Sequence, residues 1–161
     1  MRNTILIVVT TFFFTALFLH VFNNVSPWNT DAVQLAIERY GLETQDNFTE
    51  FVDQAMEFGL IWSLIDIKNL LLLLALLGGA VVSGFAVLHL IIDKLFVKKF
   101  YEKPNVSVAF RRGVLVYLVI VSLILLRLIA GLFWYNALAV LILAVSIEYA
   151  FVNYFKDRGN E

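Results

Sequence analysis

The sequence contains no cysteine, which excludes disulfide bonds, a thiol nucleophile and any thiolate metal site. It has only two histidines, too few for a histidine-rich metal site. The net charge is −1, so the chain also lacks the basic field that attracts nucleic acids. We therefore expect no metal, no cofactor and no nucleic-acid partner.

Charged residues are scarce as well. They make up 16% of the chain, and hydrophobic residues make up 61%. Soluble domains have about 25% charged and about 45–50% apolar residues. The mean hydropathy of +0.84 agrees with this difference, and the many aromatic side chains suit acyl chains and membrane interfaces. The composition therefore predicts an all-α integral membrane protein.

Four apolar runs have the length of membrane spans, since a helix crossing about 30 Å of hydrocarbon needs about 20 apolar residues. They cover residues 5–22, 70–92, 114–134 and 137–155. Arg127 interrupts the third run and Glu148 interrupts the fourth. Only Tyr135 and Asn136 separate these two runs, which predicts a tight antiparallel hairpin. The expected fold is a single membrane domain over residues 1–161, a four-helix bundle.

The first run has an alternative interpretation as a secretory signal, because the basic residue Arg2 precedes its apolar core. The core is long for a signal peptide, however, and the following sequence "NNVSP" offers no small-x-small cleavage site. We therefore favour an uncleaved span.

Basic residues beside the spans predict the orientation of the chain, because they favour the cytoplasmic side. The loop 94–112 is rich in them, whereas residues 23–69 are mostly acidic. The loop and both termini are thus expected in the cytoplasm, with the protein in the plasma membrane. Topology and headgroup contact are the expected roles of Lys98, Lys99, Arg111 and Arg112, and a site for a phosphorylated partner at the arginine pair is the alternative.

The segment 30–66, expected outside, has the pattern of amphipathic helices. Apolar residues of Asp31–Tyr40 follow the i, i+3, i+4, i+7 spacing, and Gly41 is a natural stop. Asn47 and Glu50 resemble a capping box that would begin a second helix feeding into the second run. The expected apolar face of that helix holds Phe51, Val52, Ala55, Gly59 and Trp62. We expect this segment to cover the bundle, to meet a partner or to rest on the membrane interface.

Polar residues within the runs predict an inner-leaflet cluster. By helical rise, His89 and Glu148 lie at similar depth, and Tyr117 lies slightly nearer the cytoplasm. Asp93 follows His89 by one turn on the same face and could join. Small residues also line the second run at four-residue spacing, at Ala75, Gly79 and Ser83. Such spacing permits close helix packing and predicts that this run is central.

Arg127 lies nearer the outer surface, and three arrangements could hold it. The favoured one is outward snorkelling, with Asp66 or the acidic outer helix as counter-charge. The second is a set of hydrogen bonds to Thr15 and backbone carbonyls inside the bundle. The third is a pair with Glu148, which requires strong tilt or a shift in register.

Runs three and four, with their "FRRG" start and "WYN" turn, resemble uncharacterised small multi-span bacterial membrane proteins. The resemblance covers these C-terminal runs and implies no activity.

The expected function is that of a non-enzymatic subunit, accessory or scaffold element of a membrane complex. Its expected partners are membrane lipids and other membrane subunits or further copies of the chain. The alternative is a small transporter or channel component that uses His89, Glu148 and Arg127. A lipid-modifying enzyme has less support, because phosphate-loop, G-x-S-x-G and H-E-x-x-H patterns are absent.

Overall fold

The computed structural model describes residues 2–41, 48–97, 106–130 and 133–158, and the described part is helical without strands. Its seven α-helices are α1 (Arg2–Asn24), α2 (Thr30–Tyr40), α3 (Phe48–Glu57), α4 (Ile61–Leu64), α5 (Ile67–Ile92), α6 (Val106–Ala130) and α7 (Trp134–Arg158). A π-helical segment, Asp93–Val97, continues α5. The prediction of an all-α fold is confirmed.

Four of these helices are long and apolar enough to cross a membrane. The qualifying segments are Thr4–Asn24, Ile67–Leu95, Val106–Ile129 and Trp134–Asn153. They overlap the four runs predicted from the sequence, with different ends. The third helix begins at Val106 instead of residue 114, and the fourth begins at Trp134. The third and fourth helices follow each other closely and are in contact, as the predicted hairpin requires, but the turn is not at Tyr135 and Asn136, since both residues lie in the first turn of α7.

The long helices pack in the order α1, α5, α6, α7, with α5 in contact with both α1 and α6. Close approach requires glycine at two contacts. A Cβ atom on Gly79 would lie 2.4 Å from the ring of Phe14 in α1, and one on Gly113 of α6 would lie 2.6 Å from the carbonyl oxygen of Val82. The prediction that α5 is central agrees with these contacts.

The helices α2, α3 and α4 form a small folded unit, which we call the cap, beside the first turn of α5. Its buried residues are Ala36, Phe51, Val52, Ala55, Ile61, Leu64 and Ile65. Leu64 is only 1% exposed, and burial of such a side chain stabilises a fold by about 2 kcal/mol. The cap thus has a core of its own.

Local signals set the boundaries of the cap helices. Asn29 caps α2 by accepting a hydrogen bond from the Ala32 amide, and Gly41 ends the helix at a φ of 64° as predicted. Gly59, with a φ of 67°, lies in the turn after α3. The prediction of one helix running on into the second span is therefore wrong. Trp62, assigned to its apolar face, lies in the separate helix α4 and is exposed. Asn47, the expected N-cap, lies outside the described residues.

Backbone and side-chain hydrogen bonds join the cap to the ends of α1 and α5. The Asn29 amide donates to the Leu64 carbonyl at 2.8 Å, and the Asp66 amide donates to the Pro27 carbonyl at the same distance. The Asp66 carboxylate caps α5 by accepting from the Lys68 and Asn69 amides. At the opposite end of the molecule, Ile7, Ala86, Leu90 and Ala109 bring α1, α5 and α6 together. We call these two regions the cap end and the opposite end.

Candidate functional site

Three charged side chains meet between α6 and α7. Arg111 donates from Nη2 to Glu148 Oε1 at 2.9 Å, and Arg112 donates from Nε to the same oxygen at 2.8 Å. The side chains of Arg111, Arg112 and Glu148 are 24%, 40% and 21% exposed, respectively. Since two cations share one anion, this cluster carries a net charge of +1.

Helix geometry explains why both arginines reach one carboxylate. Adjacent residues on a helix point in different directions, so only long, flexible side chains can converge on one acceptor. Arg111 also lies over the ring of Phe151, 5.6 Å from its centroid, and that ring is almost one turn after Glu148 on α7. The Nε atom of Arg111 and Oε2 of Glu148 are buried without a hydrogen-bond partner. The cluster is therefore incompletely satisfied by the protein.

The expected role of Arg111 and Arg112 in topology and headgroup contact stays a prediction, but their placement in a basic loop is wrong. They lie inside α6, one turn and more after its first residue, Val106. Gly113, the residue before the expected start of the span, packs on Val82 in the middle of α5. Lys98 and Lys99, assigned the same role, lie outside the described residues.

The predicted cluster of His89, Tyr117 and Glu148 does not form, because each side chain has a different environment. Tyr117 donates its hydroxyl to the Leu74 carbonyl at 2.9 Å and packs its ring against Gly78. Glu148 is occupied by the two arginines. His89 is half-buried on α5, and Asp93 begins the π-helical segment. The predicted cluster was wrong because it placed the start of the third span at residue 114, eight residues after α6 begins at Val106.

Arg127 pairs with the cap. Its Nη2 atom lies 2.8 Å from Asp53 Oδ1 on α3, and the two side chains are 34% and 54% exposed. This contact supplies the counter-charge on the acidic helix that the favoured arrangement named, and the snorkelling itself stays a prediction. Asp66, the other suggested counter-charge, caps α5, and Glu148 pairs elsewhere.

The small-residue stripe of α5 is used within the chain. The ring of Phe14 in α1 packs against Gly79. Ser83 is buried, and its hydroxyl donates a hydrogen bond to the Gly79 carbonyl at 2.6 Å. Ala75 is exposed. The close helix packing predicted from this spacing is present at Gly79, where a helix of the same chain fills the space.

A groove of about 590 Å³ lies between α6 and α7, beside the charge cluster. Its lining residues are Leu115, Val116, Val119, Ile120, Leu141, Ala144, Val145, Glu148, Tyr149 and Val152. Within the described ranges, no three histidine, aspartate or glutamate side chains come close enough to hold a metal ion. The chemistry that this site offers is binding of an apolar group next to a positive charge.

The pairing between the arginines and Glu148 was not predicted, although two features of the sequence indicate it. Glu148 is an acid within an apolar run and needs a cation. The five residues before the arginines, Val106–Phe110, are mostly apolar and could extend the third run backward.

Comparison of the chain with protein-family models, curated proteins and solved structures gives no significant match. The proposals below therefore depend on the chain's own residues and contacts.

Proposed function

We propose that the protein is a multi-pass integral membrane protein that acts as a non-enzymatic accessory subunit of a membrane complex. In this proposal the cap lies outside the cytoplasm and the opposite end faces the cytoplasm. The charge distribution supports this orientation, because Asp31, Glu38 and Glu57 lie on the cap while Arg111 and Arg112 lie toward the opposite end.

The observation that carries the proposal is an exposed apolar surface on the cap, which its own core and an ion pair to α6 hold in a fixed position. Tyr40 of α2 and Phe58, just after α3, lie with their ring centroids 5.6 Å apart and are 43% and 54% exposed. Leu35 of α2 is exposed as well. Exposed apolar patches rimmed by polar residues are typical of interaction sites. A patch that a folded core and the Asp53–Arg127 pair hold in place is suited to a protein partner.

The arrangement of the charges favours an accessory role over transport. The Arg111–Arg112–Glu148 cluster and Arg127 lie about 24 Å apart along α6, by the rise of an α-helix. The α6 residues between them, such as Leu118 and Ile120, are mostly apolar. A proton or ion relay needs a chain of polar groups, and these two ion pairs do not supply one.

The test is co-purification from native membranes in a mild detergent, followed by native gel electrophoresis. We expect the wild-type chain to migrate with a partner subunit, and the double variant Tyr40→Ser with Phe58→Ser to lose that partner. The matched control is Gln34→Ser with Glu57→Ser, which changes exposed polar residues on the same two helices and should retain the partner.

Two outcomes would overturn the proposal. One is a wild-type chain that migrates alone, or a partner that both double variants retain. The other is proton or ion flux into liposomes that requires the wild-type chain and disappears with Glu148→Gln, which would favour the transporter alternative.

A further inference from the structure

The groove between α6 and α7 has the size and lining of a site for an aliphatic chain. Its volume of about 590 Å³ lies within the usual range of ligand pockets, about 300–1,000 Å³. Apart from Glu148, its lining consists of aliphatic residues and the ring of Tyr149. Such a lining has no polar group to replace the hydration shell of a free anion, a sugar or a nucleotide.

A positive charge stands at one end of this groove. Arg111 and Arg112 precede the lining residues Leu115 and Val116 by four positions, so each arginine lies on the same helical stripe as a lining residue. The cluster keeps a net charge of +1 after pairing with Glu148. Arg112 is the more exposed arginine at 40%, and its terminal nitrogens donate no hydrogen bond to a residue in the described ranges.

We propose that this groove binds an anionic phospholipid, with one acyl chain along α6 and α7 and the phosphate on Arg112. Charge complementarity identifies the occupant. A zwitterionic headgroup brings no net charge to balance the cluster, whereas a headgroup with one net negative charge neutralises it. The guanidinium also matches phosphate oxygens in shape and donor geometry. The side chain of Arg112 can extend from its position in α6 toward the headgroup layer.

The experiment is native mass spectrometry of the full chain released from detergent with phosphatidylglycerol or phosphatidylcholine of identical acyl chains. We expect the wild-type chain to retain phosphatidylglycerol preferentially. Arg112→Gln should reduce that retention about fivefold, the usual size of one lost basic contact with an anionic headgroup. The control Lys94→Gln removes one exposed positive charge from the same end of the molecule and should change retention little.

A second pair of variants tests the groove without changing any charge, which covers the case in which Arg112→Gln does not fold. Val145 lines the groove and is 69% exposed, so Val145→Trp should fill the groove and reduce retention of phosphatidylglycerol. Leu143 is 61% exposed on α7 and does not line the groove, so Leu143→Trp should leave retention unchanged.

Equal retention of the two lipids by the wild-type chain would overturn the proposal. So would equal retention of phosphatidylglycerol by Arg112→Gln and Lys94→Gln, or by Val145→Trp and Leu143→Trp. If Val145→Trp disrupts a protein complex and leaves lipid retention intact, the groove's occupant is a helix of another subunit and the lipid proposal fails.

Discussion

Arg127 illustrates how a single side chain can link a long apolar helix, α6, to the cap. An isolated arginine at the centre of a bilayer costs about 2.5–3.5 kcal/mol on insertion scales. Arg127 lies one turn from the end of α6, and its long stem extends the guanidinium to Asp53 at 2.8 Å. Because the pair is partly exposed, its stabilising contribution is that of a surface ion pair. Its more important effect is to fix the position of α3.

We predict that Asp53→Asn loosens α3 without unfolding the chain. The substitution keeps the shape of the side chain and removes the charge that pairs with Arg127. Because an exposed pair contributes at most about 1 kcal/mol, amide hydrogen exchange in α3 should accelerate by no more than about fivefold. The control Glu57→Gln changes an exposed acid on the same helix. Equal exchange rates in the two variants would contradict a role for the pair.

The environment of Arg127 was predicted from the sequence, whereas that of Glu148 was missed. The choice for Arg127 depended on its distance from one end of an apolar run and on the many acids of the neighbouring segment. Neither feature changes much if the predicted helix ends are wrong by a few residues. The prediction of a partner for Glu148 depended on where α6 begins. The charged residues Arg111 and Arg112 were placed outside the third span, which set its predicted start too late. In the structure Arg111 and Arg112 lie within the helix, because both donate hydrogen bonds to Glu148 and Arg111 also packs over the ring of Phe151.

At the scale of elements, Gly113 allows the backbones of α5 and α6 to come into close contact. A methyl group on Gly113 would lie 2.6 Å from the carbonyl oxygen of Val82, and backbone atoms cannot move aside as a flexible side chain can. On α5, Gly84 offers a comparison, since a methyl group there would lie 3.6 Å from Cγ2 of Thr11, an ordinary contact distance.

We therefore predict opposite effects for two glycine-to-alanine substitutions. Gly113→Ala should destabilise the fold by about 2 kcal/mol through overpacking. Gly84→Ala should be neutral or stabilising by up to about 1 kcal/mol, because alanine favours a helix over glycine. Thermal unfolding in detergent, followed by circular dichroism, measures both changes. Similar melting temperatures for the two variants would show that the helices are less closely packed at Gly113 than the structure indicates.

The number of long helices could be predicted from the sequence, but their ends could not. Run length alone identifies four helices, because about 20 consecutive apolar residues rarely serve another purpose. The ends of α6 and α7 carry no such signal, since these helices are apolar on most faces and lack a polar stripe to mark their limits. The cap differs, because Asn29 and Gly41 are ordinary boundary residues, and there the prediction for α2 is confirmed.

For the whole molecule, the two ends differ in charge and in structure. The cap end carries acidic side chains around a small core. The opposite end carries Lys94, just after α5, and the arginine pair, near the start of α6. A membrane would separate these ends into different compartments, with the apolar surfaces of α1 and α7 exposed to lipid. Their many exposed large hydrophobic residues, among them Phe12 and Leu143, are suited to that solvent and unsuited to water.

The absence of native cysteine makes this arrangement directly testable with single cysteines and a membrane-impermeant maleimide. Gln34 on the cap and Lys94 at the opposite end are both exposed. If the cap lies outside, Gln34→Cys should react in intact cells, and Lys94→Cys should react only after permeabilisation. The cysteine-free parent chain provides the background. Reaction of both variants in intact cells, or the reverse order, would contradict the proposed orientation.

A third cysteine tests whether lipid surrounds the long helices at all. Leu143 is 61% exposed near the middle of α7, so in water a cysteine there would react as readily as one on the cap. In a bilayer it should stay unlabelled in intact and in permeabilised cells, because the charged maleimide does not enter hydrocarbon, and it should react once the chain is denatured in detergent. Labelling of Leu143→Cys in permeabilised cells at the rate of Lys94→Cys would mean that water reaches α7, and the assignment of α7 as a lipid-facing span would then be wrong.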